Sequence, residues 1–239
     1  LHRIVNFMKY FLSLFSIFFL LGCNSEDHYI PNPVDQMIKT MKKDAAFSII
    51  LDDMDVQGDD FLHKYSIVKE DKTGGITTST TNFILVDYQF FKQNENNLGM
   101  QIAAKDSTGK ITKAAIPAGF DRYIGNSKYG SWNQSGGQRF WVFYGQYAML
   151  RSVFGLGYHP AYYNVHRGYY YGGYHGSSRS YYGNMRNGSN NYGTKSAAVK
   201  KGKPNFFSRK ARNTNWKRST SRNSSSRRSG RGGGFGFGK

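Results

Sequence analysis

The chain predicts an α+β fold: a small antiparallel sheet of four or five strands with one or two packed helices, followed by a long disordered basic tail. Three observations lead there. Segments rich in β-branched and aromatic residues, separated by turn signals, run from Ala46 to Ile116. Two apolar stripes at helical spacing flank them: Val34, Met37, Ile38 and Met41 before, and Phe140, Phe143, Tyr144, Tyr147, Leu150 and Phe154 after. Charge, finally, is segregated. The chain carries 33 Lys+Arg against 15 Asp+Glu, a net +18; residues 1–150 hold 15 of each sign, and residues 151–239 hold 18 basic residues and no acid, the last acid being Asp121. A neutral folded domain with a basic tail follows from that asymmetry.

The elements follow in order. Residues 34–43 read as a short helix on their spaced apolar positions. Residues 46–51 form a short apolar strand, and 61–68 alternate, with Phe61, Tyr65 and Ile67 on one side. Lys72-Thr73-Gly74-Gly75 is a turn, and 77–91, rich in Thr, Ile, Val, Tyr and Phe, reads as one long strand. Asn94-Glu95-Asn96-Asn97 turns the chain into a hairpin of 98–104 and 110–116 about Asp106-Ser107-Thr108-Gly109, which Pro117 ends. Residues 118–137 form a loop of Gly, Asn, Ser and Tyr. The stripe over 138–154 reads as a helix packed on the sheet, with a membrane-surface helix as the alternative; Gly145 weakens it. From Gly155 the periodicity collapses. Residues 158–192 hold ten Tyr and three His among Gly, Ser, Asn and Arg, and a stretch so poor in Leu, Ile and Val is expected to remain disordered through residue 239.

The N-terminal region carries an address. After Met8-Lys9 there is no charge from Tyr10 to Leu21, and Leu20-Leu21-Gly22-Cys23 closes the stretch with the only cysteine in the chain. The apolar core, 11 residues from Phe11 to Leu21, is too short for a spanning helix, which needs roughly 20, and suits a signal-peptide core of about 7–15. This resembles a bacterial lipoprotein signal, read best from Met8. The resemblance covers only these residues and implies cleavage after Gly22, lipidation of Cys23 with diacylglyceryl and acyl (palmitate-type) chains, and residence in the cell envelope. Asn24, where an Asp favours inner-membrane retention in similar lipoproteins, leans towards the outer membrane of a diderm cell, and Glu26-Asp27 faintly resembles an acidic surface-export signal. The expected organisation is a signal peptide at 1–22, a tether at 23–33, an α+β domain at 34–156, and a Tyr/Gly-rich then Arg/Ser/Gly-rich tail at 157–239.

Candidate chemistry is sparse. Asp53, Asp55 and Asp59, with Asp52, Asp60 and Gly58, partly resemble the start of an EF-hand loop, but Lys64 stands where the bidentate Glu belongs; the plainer reading is a solvated acidic loop, which also suits docking of the basic tail. His159, His166 and His175 match no compact metal spacing. No nucleophile elbow, zinc-protease helix or phosphate loop occurs, so neither an enzyme nor a cofactor is expected. The tail is the surface with a mechanism. Arg209, Lys210, Arg212, Lys217, Arg218, Arg222, Arg227, Arg228 and Arg231 supply charge for a polyanion, and Phe206, Phe207 and Trp216 supply aromatic anchors. The leading expectation is a lipid-anchored, non-enzymatic interaction or structural protein whose tail contacts anionic envelope polymers, lipid headgroups or an acidic partner surface. The alternatives are a nucleic-acid binder, since Arg227-Arg228-Ser229-Gly230-Arg231-Gly232-Gly233 resembles RNA-binding Arg-Gly segments, and an envelope enzyme with a pocket near 118–137.

Overall fold

A computed structural model describes residues 30–183 and 190–216. The order is α1 (Pro33–Thr40), β1 (Ala46–Gln57), β2 (Asp60–Glu70), β3 (Ile76–Thr80), β4 (Ile84–Val86), α2 (Tyr88–Asn94), β5 (Met100–Lys105), β6 (Ile111–Thr112), β7 (Ile116–Pro117), β8 (Gly130–Ser135), β9 (Gln138–Phe143), a 3₁₀ turn (Gly145–Tyr147), α3 (Met149–Val153), α4 (Tyr163–Tyr171), α5 (Ala197–Gly202) and α6 (Pro204–Arg212). The main sheet is antiparallel with order β3-β2-β1-β5-β6. β4 pairs with β2 beyond β3, and β7 with β5 beside β6, making seven strands; β8 and β9 form a separate hairpin. The sheet is larger than the four or five strands expected because both of its outer positions are broken into two short segments.

The central strand explains the architecture. From Ala46 to Leu51 every residue of β1 is buried. Phe47, Ile49 and Leu51 enter one apolar cluster with Val34 and Met41 at the α1 end, Phe91 of α2, Phe206 of α6, and Trp216. Ile50 enters the other, with Phe120, Tyr123, Tyr129, Trp141, Phe154 and Tyr169. Because side chains alternate along a strand, a strand covered on both faces reads as a near-continuous apolar run, broken here over 46–51 by Ser48 alone.

Local chemistry sets the boundaries. Asn32 caps α1, its side chain accepting from the Val34 amide at 2.9 Å, with Pro33 in the first turn. Asp87 caps α2 by accepting from the Gln89 and Phe90 amides at 2.7 and 3.3 Å. That cap corrects the long strand expected over 77–91, which ends at Val86 and becomes a helix. The helix expected over 138–154 is likewise corrected. Gly136 and Gly137, at φ 57° and 74°, make a two-residue turn that pairs Ser135 with Gln138, so 138–143 is a strand.

The largest correction concerns the tail. Residues 157–183 and 190–216, expected to be disordered, pack on the domain. Ala161, Val165, Tyr169, Tyr181, Phe206 and Trp216 are all buried. The Tyr181 amide donates to the Ala115 carbonyl at 2.8 Å, and the Thr194 hydroxyl to the Glu95 carbonyl at 2.8 Å. Aromatic rings, each burying roughly 150–250 Å², replace the missing Leu, Ile and Val. Two of their hydroxyls are satisfied as well, Tyr181 donating to the Val165 carbonyl at 2.9 Å and Tyr182 to Asn97 Oδ1 at 2.6 Å, whereas that of Tyr192 is buried without a partner among the described residues. The remainder of the expected tail, 184–189 and 217–239, lies outside the described residues, as do the signal segment and Cys23.

Candidate functional site

A cleft of about 490 Å³ opens between the 120–127 loop, β8 and α4. The loop starts from the core. Phe120 is buried and makes edge contacts with His166 at 5.2 Å and Tyr169 at 5.9 Å. Gly125, at φ 84°, lies against the His166 ring so closely that a Cβ there would stand 2.6 Å from its Cε1. Only glycine allows both the conformation and the approach.

The walls are aromatic. Trp132 of β8 meets Tyr163 edge-on at 5.1 Å and tilts against His166 at 5.5 Å. Tyr163 is overlaid on one side by the Arg139 guanidinium at 4.2 Å. At the end of α4, Tyr170 stacks on His175 at 4.2 Å while remaining 46% exposed, and Tyr171 is 80% exposed. Arg167, also on α4, lines the cleft.

The polar groups divide into two sets. Behind the cleft, buried Glu70 receives Arg122 Nε at 2.8 Å, Lys128 Nζ at 2.9 Å and the Tyr129 hydroxyl at 2.9 Å. Burial alone would raise the Glu70 carboxyl, but the hydrogen bonds from Lys128, Arg122 and Tyr129 outweigh it and hold it below the ordinary range. Inside the cleft, Asp121 accepts from the Tyr169 hydroxyl and from Gln101 Nε2 at 2.9 Å. Burial pushes its carboxyl up, against the opposing effect of those two donors. Burial lowers the His166 pKa against the opposing effect of backbone hydrogen bonds with Phe120 and Ile124, and its Nε2 is shut away from solvent behind Gly125.

A second polar cluster joins the C-terminal helices to β1. Lys203 binds Asp52, Arg209 Nη2 lies 2.7 Å from Asp53, Arg209 Nε lies 3.8 Å from Asp55, and Lys210 lies 3.8 Å from Glu95. Asn213 Nδ2 donates to the Val56 carbonyl at 2.5 Å, and Lys210 sits 4.8 Å over the Trp216 ring.

These contacts locate the residues singled out from the sequence. Asp53 and Asp55 are on β1, facing Arg209, and Asp59 lies in the β1–β2 turn; among the described residues no three His, Cys, Asp or Glu side chains gather as a metal site. Arg209 and Lys210 are paired within the chain rather than free for a polyanion, whereas Arg212 is exposed. Phe206 and Trp216 are core residues at 1% and 2% exposure, not anchors for a partner, because they close the sheet face that α1 leaves open; Phe207 is half-buried. Lys217, Arg218, Arg222, Arg227, Arg228, Arg231 and Cys23 lie outside the described residues. The three histidines do not converge: His159 packs on Tyr162 and Tyr192, His166 lines the cleft, and His175 stacks on Tyr170. The loop expected over 118–137 extends only to Tyr129, because Gly130–Ser135 pairs as β8, and its partner wall, α4, lies in a segment expected to be disordered. Among the described residues no helix is long and apolar enough to cross a membrane. The chain matches no family model, no curated protein and no solved structure at a significant level.

Proposed function

We propose that the chain is a lipid-anchored cell-envelope protein with a non-enzymatic interaction role, which brings a basic C-terminal segment to the anionic surface beside its own anchor. The observation that carries this reading is that both ends of the described chain pack into one apolar cluster: Val34 of α1, and Phe206 and Trp216 at the C-terminal end, cover the same face of the sheet. The tether from Cys23 and the segment after Trp216 therefore join the domain on the same side. The 217–239 stretch holds seven Lys+Arg and no acid, while Lys203, Arg209 and Lys210 before it are already matched to Asp52, Asp53 and Glu95. Each Lys or Arg near an anionic membrane contributes about 1 kcal/mol, so this segment adds an electrostatic hold to the lipid one.

The test has two arms. Intact mass of protein recovered from host membranes, wild type beside Cys23→Ala, reads the anchor: added diacylglyceryl and acyl mass on a chain starting at Cys23, lost in the variant, is expected, and an unmodified wild-type chain overturns it. Cosedimentation of Cys23→Ala protein with anionic and neutral phospholipid vesicles reads the basic segment. Binding to anionic vesicles alone is expected, weakened about tenfold or more by the combined substitution of Arg222, Arg227, Arg228 and Arg231 with Gln and by salt of about 0.5 M. Unchanged binding in the combined variant overturns the reading, and tighter binding to duplex DNA than to vesicles or lipopolysaccharide replaces it with a nucleic-acid binder.

A further inference from the structure

We propose that the cleft between the 120–127 loop and α4 is a saccharide-binding site, taking a pyranose ring that bears a carboxylate. Its volume, about 490 Å³, is in the range of small-molecule sites. Its composition decides the ligand class. A pyranose has apolar C–H faces and a rim of hydroxyls, so it calls for exposed aromatic faces beside planar groups that donate and accept. Tyr171 presents such a face, 80% exposed at the mouth, next to Tyr170, whose other side is backed by His175. The two rings meet edge-on at 5.9 Å, so the exposed aromatic surface at the mouth is continuous over both. The hydrogen-bonding rim follows from the lining. Arg167 donates in pairs, and Asp121, whose oxygens already accept from Tyr169 and Gln101, keeps lone pairs for a further hydroxyl.

Charge separates this ligand from a phosphate-bearing one. Arg122 and Lys128, the cations nearest the loop, are turned to Glu70. Arg167 is the one cation of the lining that makes no ion pair among the described residues, and the Asp121 carboxyl shares the space. One guanidinium beside a carboxyl suits a single carboxylate, matched bidentately; a di- or triphosphate would meet too little positive charge and an acid besides. Binding is favoured over hydrolysis of the sugar, because among the described residues Asp121 is the only acid on the cleft lining, and glycosidic hydrolysis ordinarily uses two flanking carboxyl groups.

The test is calorimetric titration of the full chain in detergent with cellobiouronic acid, which carries one carboxylate, with neutral cellobiose, and with ATP. Cellobiouronic acid is expected to bind best, and equally well to the combined Arg222, Arg227, Arg228 and Arg231 to Gln variant, which separates this site from the basic segment. Tyr171→Ala is expected to weaken both sugars about tenfold, the scale of one lost stacking contact. Arg167→Gln is expected to bring the acidic sugar down to the affinity of the neutral one. Both side chains are exposed, so neither substitution disturbs the core. The proposal is overturned by the absence of heat with either sugar, by tighter binding of ATP, by loss of binding in the tail variant, or by indifference to both cleft substitutions.

Discussion

Trp216 is read in opposite ways by the sequence and by the structure, and the two readings differ in a measurable quantity. As an exposed anchor for a partner it would be dispensable for stability. In the structure it is 2% exposed and packs edge-on against Phe91 at 5.3 Å and Phe206 at 5.5 Å. Trp216→Ala is therefore expected to destabilise the domain by about 3–5 kcal/mol, the usual range for deleting a buried aromatic, read from the midpoint of urea unfolding. His63 makes a second residue-level case. It is fully buried, stacked on Phe91 at 5.2 Å and hydrogen-bonded through Nδ1 to the Tyr65 hydroxyl at 3.0 Å. Burial lowers its pKa from 6.5 to about 3. The unfolded chain then binds the proton more readily than the folded one, so stability rises with pH, is fully present above about 6.5, and is lost progressively as pH falls towards about 3. At pH 5 this single group removes about 2 kcal/mol. His63→Phe is expected to flatten that acid slope whatever its stability at pH 7, and unfolding curves at pH 5 and 7 check it.

At the scale of elements, two of the misreadings share one cause: a short turn or cap signal outweighs a long apolar pattern. Phe140, Phe143, Tyr144 and Tyr147 do recur at helical spacing, yet 138–143 pairs as a strand with 130–135 and the chain turns at Tyr144, and the Gly136-Gly137 pair decides the matter. Both glycines have positive φ and open space where a Cβ would go, so conformation alone makes them necessary. Gly136→Asn, a residue that tolerates the left-handed region, is expected to be nearly neutral. Gly137→Val is expected to cost about 1–2 kcal/mol, and thermal unfolding of the pair of variants separates conformation from packing. Asp87 worked the same way on the helix that follows β4. Strands β2 and β5 are legible because their patterns agree with their turns; β1 is legible only to Leu51, since Asp52, Asp53 and Asp55 read as a solvated loop although the strand runs on to Gln57 and those acids face Lys203 and Arg209. Helix α4 was not, since Tyr163 to Tyr171 contains a glycine and few aliphatic residues, and its fit depends on Phe120, Trp132 and Tyr181, distant in sequence. The cleft was half legible for that reason: its loop could be flagged, its aromatic wall could not.

For the whole molecule, the charge asymmetry predicted two bodies, a domain and a tail, and the boundary it implied falls about 60 residues too early against the described end at Trp216. Charge alone does not determine where a chain stops folding, because acids of one segment can accept the bases of another. Asp52, Asp53, Asp55 and Glu95 do this for Lys203, Arg209 and Lys210. Magnitudes then decide what holds the C-terminal helices down. These pairs have side chains 12–32% exposed, so each is worth about 1 kcal/mol or less once solvent screening is allowed for. Burying Phe206 and Trp216 contributes several times more. Salt is accordingly expected to loosen this region without releasing it. In about 1 M salt, amide hydrogens of α6 should exchange a few-fold faster while those of β1 do not change, and Asp53→Asn should show that faster exchange already at low salt. Trp216→Ala should instead release α6 at any salt concentration. Exchange in α6 that tracked salt as strongly as it tracked Trp216 would mean that charge, not the aromatic plug, sets the end of the folded domain.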